Sequence, residues 1–269
     1  MGYKDNQVHR LTFNWPGDRS IPEVPIRIGK SIYRFGFDTG CGVGILLTDV
    51  LEDEIDYTLI GKSEALNRDG SHRGWNKTVL INEFEVFGET YKNVETIMAD
   101  WSMFSSEEFY GTIGLAYFQA KVITLDYQGQ RIAIRSNPIN YDQLDPNKYI
   151  VLPLHRSTSR MQENLPFFEA EYKGSPVMVY MDTGKNYSYV LNPESGISIG
   201  ERSTSFVDIP VRIGSLNLTL QDVLEVNSIA QAEGLPFPTA IEMNSDQIWK
   251  SNLLVTFDLI EQKVILRKL

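Results

Sequence analysis

Short apolar runs broken by turn residues dominate this chain, and most of them alternate or are β-branched, the period-2 pattern of half-buried strands. The stretch from Ile21 to Gly40 reads as two such strands joined at Gly29-Lys30. The second, Tyr33-Arg-Phe-Gly-Phe37, runs straight into Asp38-Thr39-Gly40. Leu165 to Gly184 repeats the arrangement, with a turn at Lys173-Gly174 and the strand Val177-Met-Val-Tyr-Met181 ahead of Asp182-Thr183-Gly184. Helical spacing is confined to residues 104–109, 221–225 and 246–251. The pattern predicts a mostly-β protein.

The two stretches align without a gap at a constant offset of 144 (38 to 182). A second match closes each half: residues 117–135 pair with 249–267 at an offset of 132 (126 to 258). Each is a strand, a turn opening on Asp126 or Asp258, and a second strand. Between them Phe84-Glu-Val-Phe-Gly88 corresponds to Pro210-Val-Arg-Ile-Gly214. Self-similarity of this kind marks a duplication. It predicts two similar lobes, residues 1–136 and 149–269, joined by a linker at 137–148 that contains two prolines with residue 138 and 146. From the Asp to the matching Gly there are 50 residues in the first lobe (38 to 88) and 32 in the second (182 to 214). The surplus falls at residues 60–77, a polar segment that reads as a lid or as a solvated insertion. Residues 196–205 are the only counterpart in the second lobe.

At 269 residues the chain buries one large core or two moderate ones, and 42% hydrophobic with 11% aromatic residues is an ordinary globular composition. A formal net charge of −10 implies no basic surface, so no nucleic acid is expected as a partner. The single cysteine, Cys41, excludes an internal disulfide and a cysteine-based metal site. His9, His72 and His155 lack ligand spacing and read as surface residues, so no metal is expected. Gly40-Cys-Gly-Val-Gly44 lacks the rest of a dinucleotide signature, and no Ser-centred nucleophile elbow occurs. No run approaches the roughly 18–20 apolar residues of a membrane span, so a soluble protein is expected. The opening Met1-Gly-Tyr-Lys-Asp-Asn leaves room for a signal or lipoprotein segment removed ahead of it, and with it an extracytoplasmic location.

An acid just beyond a buried strand and just before a glycine-permitted turn is poorly solvated, the setting in which carboxylates acquire unusual pKa values. Two such acids, one per half, brought face to face by a two-fold fold make a carboxylate dyad. Carboxylates that close cannot both ionise cheaply, so the pair shares one proton. The ionised member can take a proton from a water while the protonated member protonates an amide carbonyl oxygen. That chemistry requires no covalent intermediate, metal or cofactor.

Hydrophobic-Asp-Thr-Gly twice, the lobe-closing strand pair twice, and Gly111-Thr-Ile-Gly114-Leu in the first half together resemble the pepsin-like and retropepsin-like aspartyl proteases in their single-chain form. The resemblance spans about residues 20 to 269. It implies a pepsin-like acid protease fold of two duplicated retropepsin-like β-barrel lobes with a cleft between them. It also implies Asp38 and Asp182 as the catalytic pair, Thr39 and Thr183 cross-bonded between lobes, and Gly40 and Gly184 as turn glycines whose amides point at the carboxylates. The implied activity is that of a monomeric aspartic endopeptidase with no cofactor, acting on a peptide or protein substrate in extended conformation. The extra first-lobe segment occupies the interval of the family's flap, which puts Gly74 and Trp75 at its tip against substrate; packing of Trp75 into a small local core is the other reading.

The chain departs from the family in three places. Cys41-Gly42 and Lys185-Asn186 follow the two turns, where relatives carry Ser, Thr or Ala. A Lys185 ammonium near the dyad would favour both carboxylates as anions, whereas a side chain reaching solvent would do nothing. Residues 239–246 contain no glycine to match Gly114, and Glu242 and Asp246 there either lie near the second turn or face solvent. The second lobe is also short. These departures motivate the alternative of a catalytically inactive pepsin-like module that binds a peptide, glycan or protein partner in the interlobe cleft. Trp101, Phe104, Phe109 and Tyr110 line substrate pockets or, the favoured reading, pack.

Overall fold

Alternation is visible at once in the strand Pro22–Ile28, where Val24, Ile26 and Ile28 are buried and the residues between them are not. The computed structural model describes residues 7–13, 21–66, 72–100, 109–159, 162–185, 187–192, 206–226 and 234–269. The first half contributes β1 (Gln7–Arg10), β2 (Thr12–Phe13), β3 (Pro22–Ile28), β4 (Ser31–Phe37), β5 (Ile45–Thr48), β6 (Tyr57–Leu66), β7 (His72–Val86), β8 (Glu89–Ala99), β9 (Gly111–Ile113), β10 (Val122–Asp126) and β11 (Arg131–Arg135). The second contributes β12 (Ile150–Pro153), β13 (Phe167–Tyr172), β14 (Ser175–Asp182), β15 (Tyr189–Leu191), β16 (Val207–Ile213), β17 (Leu216–Val226), β18 (Ala240–Asn244), the helix α1 (Ser245–Lys250), β19 (Leu253–Asp258) and β20 (Lys263–Lys268).

The fold is two-lobed and all-β, each lobe a closed barrel of six strands. The first runs β3-β4-β9-β5-β8-β7 and closes by pairing β7 with β3, leaving β2 and β6 as appended edges. The second runs β13-β14-β18-β15-β17-β16 and closes by pairing β16 with β13. Strand for strand the two orders are the same, as the duplication requires. β14 is buried on both faces: Val177, Val179 and Met181 join the main core, while Met178 and Tyr180 pack on the opposite side with Leu165, Phe167, Leu191 and Ala240.

A third sheet, β1-β11-β10-β19-β20-β12, is built from both halves. β10 and β19 pair antiparallel at its centre, with Thr124 opposite Thr256 and their hydroxyl oxygens 2.9 Å apart. Those two residues are related by the repeat offset of 132, so the local two-fold axis passes between them. The Asp-initiated turns form as the pattern predicts: Asp126 Oδ1 accepts the Gly129 N–H at 2.7 Å, and Asp258 Oδ1 accepts those of Ile260 and Glu261 at 3.1 and 3.0 Å. Within residues 137–148, the Tyr141 hydroxyl donates to Asp258 Oδ2 at 2.7 Å.

Residues 246–251 are helical much as expected, in α1, but 221–225 are not a helix: they belong to β17. The register between β16 and β17 passes from Ile209–Leu220 to Val207–Val223, so β17 carries one extra residue, a β-bulge. Asp222 takes φ +52° there, and the bulge sets buried Leu220, Val223 and Leu224 at a spacing that imitates a helix. The candidate helix at 104–109 falls mostly outside the described residues, as do Trp101, Phe104 and the loop at 196–205. Phe109 is buried and Tyr110 packs on Tyr33 with ring centroids 5.1 Å apart. Among the described residues no helix is long and apolar enough to cross a membrane.

Candidate active site

Each Asp-Thr-Gly turn sits where a barrel strand ends beside a parallel neighbour. β4 pairs with β9 up to Phe37–Ile113, and the Asp38 N–H then donates to the Ile113 carbonyl at 2.8 Å. β14 pairs with β18 in the same sense up to Asp182–Asn244. The strands therefore deliver both carboxyls to the interface between the lobes.

The threonines lock the two turns together. The Thr39 N–H donates to Thr183 Oγ1 at 2.9 Å, and the Thr183 N–H donates to Thr39 Oγ1 at 3.2 Å. Each hydroxyl then donates across the interface: Thr183 Oγ1 to the Phe37 carbonyl at 2.5 Å, Thr39 Oγ1 to the Met181 carbonyl. Both side chains are buried, so neither amide has water as an alternative partner.

The glycines serve two ends. The Gly40 N–H donates to Asp38 Oδ1 at 2.8 Å and the Gly184 N–H to Asp182 Oδ1 at 3.1 Å, so each amide holds its own lobe's carboxylate. Neither glycine takes a positive φ. What forbids a side chain is the opposite lobe: a Cβ on Gly40 would lie 2.3 Å from Asp182 Cγ, and one on Gly184 would lie 2.4 Å from Asp38 Cγ. Each carboxyl thus rests over the other turn's glycine, and the two carboxyls hydrogen-bond to one another.

Burial raises the pKa of both aspartates above the ordinary carboxylate range. For Asp38 the hydrogen bond from Asp182, the Lys185 charge and the Gly40 amide oppose that rise. For Asp182, only 4% exposed, the negative charges of Asp38 and Glu242 add to it, and the value goes well above the usual range. The pair therefore shares one proton across a pH interval displaced upward.

Lys185 lies beside the dyad, where its charge lowers both aspartates, but among the described residues it forms no ion pair with either. Glu242 lies near the second turn, fully buried, whereas Asp246 pairs with Lys250 on α1 at 2.6 Å. Cys41 is buried, and burial together with the Asp38 charge pushes its thiol up to about 12, which leaves it protonated and unreactive. Gly74 and Trp75 stand on the β6–β7 hairpin, outside the turn cluster. Trp75 is 66% exposed with the His72 ring 5.6 Å away, which rules out a local core around it. His72 is exposed and His155 half-buried, while His9 is half-buried against Phe87 rather than a surface residue, because β1 lies along β11 in the shared sheet. No three His, Cys, Asp or Glu side chains among the described residues are grouped to hold a metal.

Ser188 and Asn244 escape a motif search, unlike Gly114. Gly114 is indispensable in the first lobe because a Cβ there would lie 2.3 Å from the Cys41 carbonyl oxygen. Its N–H donates to the Gly44 carbonyl at 2.5 Å. By strand register the equivalent of Gly114 is Asn244, and Ser188 stands at the place of Ile45, one residue along from that of Gly44. In the second lobe the backbone contact is replaced by side chains: the Asn244 N–H donates to Ser188 Oγ at 3.1 Å, and Ser188 Oγ donates to Asn244 Oδ1 at 3.2 Å. Asn244 Oδ1 also caps α1 through the Gln247 N–H at 3.1 Å. At the repeat offset of 144 Gly44 falls on Ser188 (44 to 188), one residue out of the strand register, and that near coincidence was the available signal. No protein-family model matches the chain, and no curated protein matches it.

Proposed function

We propose that the protein is a monomeric aspartic endopeptidase of the pepsin-like kind, hydrolysing peptide bonds with Asp38 and Asp182. The observation that carries this reading is the reciprocal seat of the two carboxyls, each over the other turn's glycine and joined by a hydrogen bond. Asp38, the ionised member, takes a proton from a water held between the pair. Asp182, the protonated member, donates its proton to the substrate carbonyl oxygen as the water oxygen attacks the carbonyl carbon. The threonine lock keeps the turns from relaxing as charge moves, so little reorganisation is needed. Both halves of the dyad come from one chain, so a second copy is not required. An extended peptide is the substrate form whose backbone can add strand-like hydrogen bonds between lobes, with Gly74 and Trp75 on the β6–β7 hairpin as the covering side.

The non-catalytic binding module draws on Lys185 and on the missing second-lobe glycine. The Ser188–Asn244 pair supplies what that glycine would, and Lys185 leaves the dyad without an ion pair. The proteolytic reading is tested by cleavage of a broad peptide library from pH 3 to 8. Asp38→Asn and Asp182→Asn should each lower cleavage by roughly a hundred- to ten-thousand-fold or more. No cleavage by the intact protein anywhere in that range would refute it.

A further inference from the structure

Duplication alone would give two equivalent aspartates an equal claim on the shared proton, yet their surroundings differ. Two residues ahead of the aspartate the first lobe has Gly36 and the second has Tyr180. Across the parallel ladders these register with Thr112 and Glu242. Glu242 is 0% exposed, and its Oε2 accepts a 2.6 Å hydrogen bond from the Tyr180 hydroxyl. Residues two apart on a strand share a face, so Tyr180 and Asp182 do, and one pleat repeat sets Glu242 about 7 Å back along the strands from the level of Asp182. Thr112 puts no charge at the matching place behind Asp38.

We propose that Glu242, clamped by Tyr180 behind the second turn, is a positioning residue that breaks the symmetry of the dyad and assigns the shared proton to Asp182, with Lys185 as its counterweight. The groups around it are Asp182 and Asp38, Tyr180 through its hydroxyl, Tyr189 in register on β15, and Lys185 just past the turn. Burial keeps these charges poorly screened. The Glu242 charge raises both aspartates and the Lys185 charge lowers both. Register puts Glu242 behind Asp182 and the uncharged Thr112 behind Asp38, so the Glu242 charge acts mainly on Asp182. As a regulator of the proteolytic site this rests on the function proposed above, whereas the proton assignment itself does not.

The test is an NMR titration of the full chain carrying ¹³C at the aspartate carboxyl carbons, as wild type, Glu242→Gln and Lys185→Met. Glutamine keeps the volume and an oxygen for Tyr180. In Glu242→Gln the upper titration of the dyad should move to lower pH; in Lys185→Met both should move to higher pH. The alkaline limb of peptide-library cleavage should follow in the same directions. An upper titration that stays in place in a folded Glu242→Gln protein overturns the proposal. If that variant does not fold, Lys185→Met titrations that stay in place or fall overturn it. Titration shifts as expected without cleavage by the wild type support the proton assignment and defeat the proteolytic reading alone.

Discussion

Asp182 carries an unusual burden for a carboxylate: it is 4% exposed, faces Asp38, and has Glu242 behind it. Its pKa in the folded protein is raised above the unperturbed 3.8. A raised value means that the group's contribution to stability is full below the unfolded pKa and is lost as pH rises through the folded one. Asp182→Asn should therefore leave the melting temperature near that of the wild type at pH 3 and raise it at pH 7 to 8. Each kcal/mol relieved is worth about 2–4 °C in a chain of this size, readable by thermal unfolding across pH. The same directions shape catalysis. Cleavage should be lost on the acid side as Asp38 takes a proton and on the alkaline side as Asp182 gives one up, with both limits above those of unperturbed carboxyls. A pH–rate profile checks this.

At the scale of elements, the two lobes solve one steric problem differently. In the first, the chain leaving β9 passes so close under the Cys41 carbonyl that only glycine fits. In the second, the chain leaving β18 is held by the Ser188–Asn244 pair and turns at once into α1. Gly114→Ala should thus destabilise by about 1–3 kcal/mol through overpacking beneath the first aspartate, and lower cleavage with it. Asn244→Gly should cost only a few tenths of a kcal/mol through the weaker cap, and Asn244→Ala about 1 kcal/mol. Urea midpoints at constant slope measure the contrast. The strands themselves were largely legible, since alternation in β3 is unbroken. The bulge at Asp222 was not, because a single extra residue shifts Val223 and Leu224 into a helix-like spacing that no local pattern distinguishes.

At the scale of the whole molecule, the lobes are joined through β10 and β19 and through the threonine lock. Cutting the chain within 137–148 would leave Val122–Asp126 as an exposed sheet edge on the first lobe, an invitation to pair with another chain. Residues 1–136 expressed alone should therefore elute as dimers or larger, and co-expression with 149–269 should restore a one-to-one complex, by size-exclusion chromatography with light scattering. What the sequence by itself determined is the repeat: two strand-Asp-Thr-Gly units and two closing strand pairs, because period-2 burial and turn chemistry are local and leave their mark residue by residue. The pairing of Asp38 with Asp182, the reason Gly40 and Gly184 admit no side chain, and the place of Glu242 beside one aspartate but not the other were decided only by tertiary structure. Those are contacts between segments 144 residues apart or on neighbouring strands, and the field at a buried carboxyl depends on what folding brings near it rather than on its neighbours along the chain.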